Sequence, residues 1–507
     1  MDRSLNREIF RLAVPSILAN LTVPLVGLVD IAITGHLGDI AAKEGFAAAS
    51  FIGGITIGSI FFDLLFWSLN FLRTGTGGLT AQAFGRSATS GSFHEEGGIL
   101  LRALSLSLLA GVLLIALQSV FLKLAFLVVD CSEPVRILAS RYFRIRIWAA
   151  PATLSLFAFK GWFIGMQDTV NPMISDLIVN LTNVAASVVL AFGLGRFGGI
   201  GYSGVALGTV IAQWTGLTFV VCALLVRYRV KVFAGFTRAD LRDAFGGKTP
   251  VGSFFSLNRD LFLHSLGLIA VYIGFTTISA RFGDTLLSVS AILMKFLIIF
   301  SYFTDGFAYA GEAMTGKYIG RGDRERLSGT VRQLFLWSMG IAVIFIGIYA
   351  LSGKPLLRLL TSDGEVIAAA LPYLPWLMVM PLLGCPAFIW DGIYLGASAA
   401  RPIRDSALLS AAGFFAVWFA GTALLQHFLP AASADPAASA TIADLAAPAT
   451  AVADTLSAAL AAAPAASAVA AAPGACLHVL MAAYFTHLAV RTVYQTVAAR
   501  RAVFSRL

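Results

Sequence analysis

The feature that most constrains this chain is a succession of long apolar stretches. Runs of eighteen or more residues with almost no charged side chain recur along most of its 507 residues. Each run is long enough to cross the hydrocarbon core of a bilayer as an α-helix. Because 58% of the residues are hydrophobic and only 12% are charged, we predict an all-α polytopic membrane protein.

We predict twelve transmembrane helices, at residues 12–36, 45–71, 100–122, 147–166, 170–195, 201–226, 257–281, 285–316, 332–352, 371–397, 405–429 and 476–498. An even number of spans places both termini on one side of the membrane. The basic residues of the 227–256 loop, of the link after the eighth span and of the C-terminal tail lie on that side. Since basic loops stay in the cytoplasm, we predict cytoplasmic termini and a location in the plasma (inner) membrane.

One connection departs from this charge distribution. Four arginines precede the predicted fourth span on the outer side: Arg136, Arg141, Arg144 and Arg146. We interpret them as solvated arginines whose stems extend along the apolar surface, in preference to substrate contacts. The net charge of +9 follows from the membrane topology, and no cluster of basic and aromatic residues predicts binding to nucleic acid.

The two halves of the chain repeat each other in four motifs that occur in the same order. The pairs are Asn6–Phe10 with Asn258–Phe262, Leu37–Asp39 with Phe282–Asp284, Phe84–Arg86 with Ile319–Arg321, and Gly161–Gly165 with Gly392–Gly396. Six spans per repeat give both copies the same topology, so the repeat axis is a pseudo-two-fold along the membrane normal. We therefore predict two six-helix bundles.

The predicted boundaries follow from this repeat. Residues 1–230 form the N-terminal bundle, 231–256 the cytoplasmic linker and 257–507 the C-terminal bundle. The last of these contains a low-complexity segment, 430–475, in which alanine predominates and which has no lysine, arginine or aromatic residue. Such a composition predicts an outer loop in preference to a thirteenth span.

Asp30 lies within the first apolar stretch. A carboxylate near the centre of a transmembrane helix costs about 2.5–3.5 kcal/mol, so it favours binding a proton or a cation. In the second copy the aligned residue is Phe275, and this asymmetry favours a specialised role for Asp30. A purely structural pairing within the helix bundle stays open as the alternative.

Polar residues of two further spans are candidate neighbours of Asp30. Asn180, Asn183 and Ser187 are separated by three and four residues and so share one helix face, and Thr209 lies in the sixth span. They are candidate cation-coupling residues together with Asp30, although such residues also form purely structural interhelical hydrogen bonds.

Two prolines lie in the first span, Pro15 and Pro24. Each removes a backbone donor, and Pro24, in the middle of the span, is expected to kink the helix.

The second half contributes candidate substrate-binding residues. Asp305 and Glu312 are seven residues apart on one face of the eighth span, Tyr309 lies between them, and Asp391 lies in the tenth span. Carboxylates among aromatic rings attract lipophilic cations by charge and cation–π contact, whereas the aromatic residues alone are also explained by packing.

Together these residues resemble the multidrug and toxic compound extrusion (MATE) transporters of the DinF-type branch. The matching stretches are Pro24–Asp30 with Gly35–Gly38, Phe71–Arg73 with Gly78–Gly85, Tyr142–Arg146 with Pro151, Lys160–Asp168, and Asp305–Glu312. The resemblance covers nearly the whole chain except 431–475. It implies two six-helix bundles in a V and efflux by cation antiport.

The resemblance also implies residue roles. The coupling carboxylate of the family matches Asp30, and its bending proline matches Pro15. An asparagine of the fifth span falls on Asn183, and an aspartate that some members have four residues later is Ser187 here. Members that use Na⁺ have an aspartate in the tenth span, which resembles Asp391. Because the rest of that cluster is lacking here, H⁺ is the favoured coupling ion, and Na⁺ at Asp30 or Asp391 stays open.

The expected function is proton-coupled export of small amphipathic, cationic compounds by rocker-switch alternating access, in a monomer without an organic cofactor. The first alternative is a lipid-linked oligosaccharide flippase, which requires a strongly cationic central cavity, whereas the mid-span residues here are mainly acidic. The second is a membrane-embedded enzyme, but no HExxH motif or ligand-spaced cluster occurs within a span. We therefore expect a transporter and no catalytic residue.

Overall fold

A computed structural model describes residues 2–506 except 130, 195–196, 235, 239, 241, 243–244, 246–250 and 429–471. The described helices are α1 (Arg3–Gly35), α2 (Gly38–Lys43), α3 (Ala48–Ser68), α4 (Phe71–Ser90), α5 (His94–Val128), α6 (Glu133–Arg146), α7 (Ala150–Gly165), α8 (Val170–Phe192), α9 (Tyr202–Ala223), α10 (Arg229–Phe233), α11 (Val251–Ser279), α12 (Asp284–Arg321), α13 (Arg324–Leu360), α14 (Gly364–Ala370), α15 (Leu374–Gly396), α16 (Ala400–Phe428) and α17 (Pro473–Ala502). Two short antiparallel strands, β1 (Gly193–Leu194) and β2 (Phe197–Gly198), pair between α8 and α9. Nearly all of the predicted outer loop 430–475 lies outside the described residues.

The all-α prediction is confirmed. Within the described part of the chain, eleven helical stretches are long and apolar enough to cross a membrane, and they correspond to the second to twelfth predicted spans. α1, with its 33 residues, covers the first predicted span. Several spans consist of two consecutive helices, such as α3 with α4 and α6 with α7.

The fourth span differs from the prediction. It covers Glu133–Gly165 and so begins 14 residues before the predicted boundary at 147. A short 3-10 turn at Ile147–Ala149 joins its two helices just before Pro151, whose ring cannot donate to the preceding turn. The four arginines of the predicted loop therefore lie on α6. The prediction missed this because a hydropathy pattern does not distinguish arginines in a helix from arginines in a loop.

The predicted repeat is visible in the helix packing. An ideal Cβ on Gly161 of α7 would lie 2.1 Å from the carbonyl oxygen of Arg73 on α4. In the second half, a Cβ on Gly392 of α15 would lie 2.1 Å from the carbonyl oxygen of Ala308 on α12. The same close backbone contact thus recurs in both halves, which aligns Arg73 with Ala308.

The two halves meet where α4 crosses α12. A Cβ on Gly85 would lie 2.8 Å from the Cα of Gly320, and a Cβ on Gly320 would lie 2.9 Å from the Cα of Gly85. These glycines are equivalent in the predicted repeat, so the contact is nearly symmetric about the pseudo-two-fold axis.

The N-terminal part of α1 also reaches the second half. Its Glu8 forms an ion pair with Lys317 and accepts a hydrogen bond from Tyr318 at 2.9 Å. These contacts join the N-terminal end of α1 to the C-terminal end of α12.

Candidate functional site

Asp30 lies in the C-terminal part of α1, where α6, α8 and α9 surround it. Its side chain is buried, and the residue is 2% exposed. The hydroxyl of Tyr142 on α6 donates to Asp30 Oδ2 at 3.3 Å. Asp30 Oδ1 has no hydrogen-bond partner among the described residues. One carboxylate oxygen is therefore held, and the other remains available for a proton or a cation.

Asn183 and Thr209 face the same carboxylate. The amide nitrogen of Asn183 donates to Thr209 Oγ1 at 3.0 Å, which orients the amide oxygen away from that hydroxyl. Within the described structure, Asn183 Oδ1 is buried and accepts no hydrogen bond. A proton on Asp30 would convert a carboxylate oxygen into a hydrogen-bond donor.

The other two residues of the predicted fifth-span face lie elsewhere. Asn180 donates to the carbonyl oxygen of Thr22 at 3.2 Å. Thr22 lies about two turns before Asp30 on α1. Ser187 donates to the carbonyl oxygen of Val205 on α9 at 3.4 Å. An ideal Cβ on Gly208 would lie 2.3 Å from Ser187 Oγ, so the close approach of α8 and α9 leaves little room for a larger side chain there. Of the three residues, Asn183 is the one that the structure brings to Asp30.

Sequence reasoning missed the contribution of α6 to this site. Arg146 donates to the hydroxyl of Tyr142 at 3.1 Å and to Ser59 Oγ at 3.3 Å, and its guanidinium lies over the ring of Phe62. Its charge also acts on Asp30. The interpretation of Arg146 as a solvated arginine is therefore wrong. The four-residue spacing of Tyr142 and Arg146 was the available signal, because it places both side chains on one helix face.

The other arginines of this group have different surroundings. Arg141 forms an ion pair with Glu44 at 2.6 Å, and Arg136 and Arg144 are exposed. The expectation of exposed arginines therefore fits these two residues.

Both prolines lie inside α1, which remains α-helical through them. Pro15 cannot donate to the carbonyl oxygen of Arg11, and Thr169 Oγ1 donates to that oxygen at 3.4 Å instead. Pro24 is exposed and lies between the part of α1 that contacts the second half and the turn that carries Asp30.

The candidate substrate residues of α12 lie opposite an arginine from the first half. Arg73 of α4 forms an ion pair with Glu312 at 3.3 Å, and both side chains are buried. Its guanidinium lies 4.5 Å from the centre of the Tyr309 ring. Asp305 is half-buried, and its charge acts on the same guanidinium. The sequence prediction placed these acidic and aromatic residues together but did not include Arg73.

Asp391 is already paired with basic and amide groups. Arg491 of α17 forms an ion pair with its Oδ2, and Gln495 donates to its Oδ1 at 2.6 Å. His264 of α11 lies 3.9 Å from Oδ2. Lys160, the residue aligned with Asp391 in the first half, forms an ion pair with Asp176 at 2.7 Å. The acidic character predicted for the mid-span region is thus balanced by basic residues from neighbouring helices.

The described residues contain no group of three or more histidine, cysteine, aspartate or glutamate side chains that could hold a metal ion.

Comparison with known proteins gives the family. The MatE family profile matches residues 15–189 and 261–412, which is more than half of the chain. The chain belongs to the MATE family. As a member it is a multi-pass membrane protein and an efflux transporter, not an enzyme.

The relatives of this MATE transporter include the predicted branch. It is 35% identical over 411 residues to the DNA damage-inducible protein F of Escherichia coli K12, which covers 81% of this chain and 85% of that protein. It is 22% identical over 370 residues to the probable multidrug resistance protein NorM of Thermotoga maritima, with 72% and 74% of the two chains covered.

Solved structures show the same fold. A crystal structure of MATE in the bent conformation has a TM-score of 0.75 at 16% identity and covers 99% of this chain and 96% of its own. The Vibrio cholerae MATE transporter VcmN in the bent form has a TM-score of 0.71 at 15% identity, with 99% and 98% covered. The predicted family and fold are therefore confirmed.

Proposed function

We propose that this MATE transporter exports small amphipathic organic cations in exchange for protons across the plasma membrane, with its termini in the cytoplasm. The observation that supports this most strongly is buried Asp30, whose Oδ1 has no hydrogen-bond partner in the described structure. This oxygen accommodates one proton.

A proton fits this site better than Na⁺. A hard cation is held by several oxygen ligands, whereas Asp30 Oδ2 faces a hydroxyl donor and the charge of Arg146 lies close by. A guanidinium near the carboxylate repels a second cation but does not prevent protonation. At Asp391, the alternative position, the ion pair with Arg491 takes the place that Na⁺ would occupy.

The contacts between the halves support alternating access. The Gly85–Gly320 crossing, the Arg73–Glu312 pair and the Glu8–Lys317 pair lie in the membrane half that contains the N-terminus of α1. A molecule closed there exposes its central site toward the opposite, outer side. Export then requires that these contacts break and re-form as the halves rock against each other. Both halves belong to the same chain.

The driving force follows from the stoichiometry. When one proton exchanges for one monovalent organic cation, no net charge crosses the membrane, and the pH gradient alone drives export. Each pH unit corresponds to about 1.4 kcal/mol, or about tenfold accumulation.

The test is ethidium transport by purified protein in liposomes under an imposed pH gradient. Asp30→Asn removes the proton site, and we expect gradient-driven transport to fall to the level of empty liposomes while ethidium binding persists. Asp284→Asn, at the exposed start of α12, is the matched control and should transport normally. Normal gradient-driven transport by the Asp30→Asn variant would contradict the proposal.

The flippase alternative has less support. An anionic lipid-linked sugar needs an excess of positive charge between the halves, whereas Arg73, Lys160 and Arg491 are each paired with a carboxylate.

A further inference from the structure

The contact between Arg73 and α12 has the composition of a binding site for an organic cation. The guanidinium lies against one carboxylate, Glu312 at 3.3 Å, and over one aromatic ring, Tyr309 at 4.5 Å. A second carboxylate, Asp305, acts on it electrostatically. Carboxylates and an aromatic face are the groups that hold lipophilic cations, and here a side chain from the other half of the molecule occupies them.

The residues at the aligned positions of the repeat cannot form this ion pair. Arg73 aligns with Ala308, and the Gly85–Gly320 alignment places Gly77 opposite Glu312. An ideal Cβ on Gly77 would lie 1.9 Å from Glu312 Oε1. The absence of a side chain at Gly77 therefore leaves room for the carboxylate of Glu312. The ion pair depends on two positions at which the copies differ, so the duplicated architecture alone does not require it.

The burial of the site changes along α12. Glu312 is fully buried, and its Oε1 has no hydrogen-bond partner in the described structure. Asp305 and Tyr309 are half-buried and lie about two turns and one turn earlier on α12, respectively. A cation bound on these residues therefore has Glu312 at its buried end and Asp305 and Tyr309 toward its less buried end.

We propose that Arg73 is a tethered competitor of the cationic substrate, and that substrate and guanidinium alternate on Asp305, Tyr309 and Glu312. Binding of the substrate releases Arg73 and thereby removes one contact that joins the halves. The proposal rests on the proposed export of organic cations and adds the residue that links substrate binding to opening.

The energetics favour exchange over simple rupture. Separation of a buried ion pair leaves an uncompensated buried charge and is strongly unfavourable. A substrate that brings its own positive charge replaces the guanidinium on the carboxylates and offsets this cost. A neutral amphiphile of the same shape does not, so the exchange selects for cations and keeps the unloaded transporter closed.

The first test compares ethidium affinity among variants in detergent by fluorescence polarisation. Arg73→Gln removes the competitor, and we expect ethidium to bind about tenfold more tightly. Lys160→Gln removes an equal charge from a cation that is paired with Asp176 instead, and should leave the affinity within about twofold. Unchanged affinity in Arg73→Gln, or equal tightening in both variants, would overturn the proposal.

The second test uses the unmodified protein and so does not depend on the folding of a variant. Hydrogen exchange is measured in peptides from 71–85 and 309–320 with ethidium or with a neutral amphiphile. We expect faster exchange with ethidium only. Equal effects of the two compounds, or slower exchange with ethidium, would overturn the proposal. Failure of the unmodified protein to bind any organic cation would instead overturn the proposed function.

Discussion

At the scale of single residues, the structure separates side chains that the sequence treats as equivalent. Asn183 and Ser187 are four residues apart and share a helix face. Asn183 faces the carboxylate of Asp30, whereas Ser187 donates to the carbonyl oxygen of Val205. The spacing predicted the shared face correctly. It did not reveal which turn of that face lies at the level of Asp30, because that level depends on how α1 packs against α8.

This difference gives a prediction at two neighbouring positions. Asn183→Ala removes the amide beside Asp30 and leaves Thr209 without its donor. An unsatisfied buried polar group costs about 1–3 kcal/mol, so we expect proton-driven ethidium transport in liposomes to fall about tenfold.

Ser187→Ala is the matched control, because its hydroxyl contacts only a backbone carbonyl among the described partners. It should transport at nearly the unmodified rate. Equal losses in the two variants would show that the whole face acts as a unit.

At the scale of helices, the sequence predicted the equivalent motifs of the two halves better than it predicted element boundaries. The Gly161 and Gly392 motifs were matched from sequence, and the structure places both against an equivalent carbonyl oxygen. The start of the fourth span was missed because Arg141 and Arg146 lower the hydropathy of α6. Their partners, Glu44 and Tyr142, come from other helices or another turn, and local hydropathy contains no information on such partners.

The glycine contacts predict where an added methyl group is tolerated. Gly161→Ala places a Cβ 2.1 Å from the carbonyl oxygen of Arg73, so α7 must move away from α4. Overpacking of this kind costs about 1–3 kcal/mol, and we expect a lower Tm in detergent.

Gly340→Ala on α13 is the control, because a Cβ there has no atom within 4 Å. It should leave the Tm unchanged or raise it slightly, since alanine favours the helix. A Tm for Gly161→Ala equal to that of the control would mean that the close packing of α4 and α7 is not needed for stability.

At the scale of the whole molecule, two nearly equivalent halves are joined by contacts that are not equivalent. The Gly85–Gly320 crossing obeys the repeat, whereas the ion pairs of Arg73 with Glu312 and of Glu8 with Lys317 do not have counterparts at the aligned positions. Lys317, for example, aligns with Gln82, which donates to the carbonyl oxygen of Gly396. Backbone packing thus makes the interface, and ion pairs without counterparts at the aligned positions join the halves beside it.

Charge reversal tests this division between the halves. Glu8→Lys places two positive charges together where Glu8 and Lys317 now form a partly buried pair, and should slow ethidium transport by destabilising the closed state. The double variant Glu8→Lys with Lys317→Glu restores an attractive pair, so we expect transport to recover. A double-mutant cycle on the transport rates measures the coupling.

The same exchange at Arg86 and Glu95, an exposed pair within the first half, should change transport little in either the single or the double variant. Failure of the double variant at 8 and 317 to recover, or an equal effect at 86 and 95, would show that the Glu8–Lys317 pair does not stabilise the closed state.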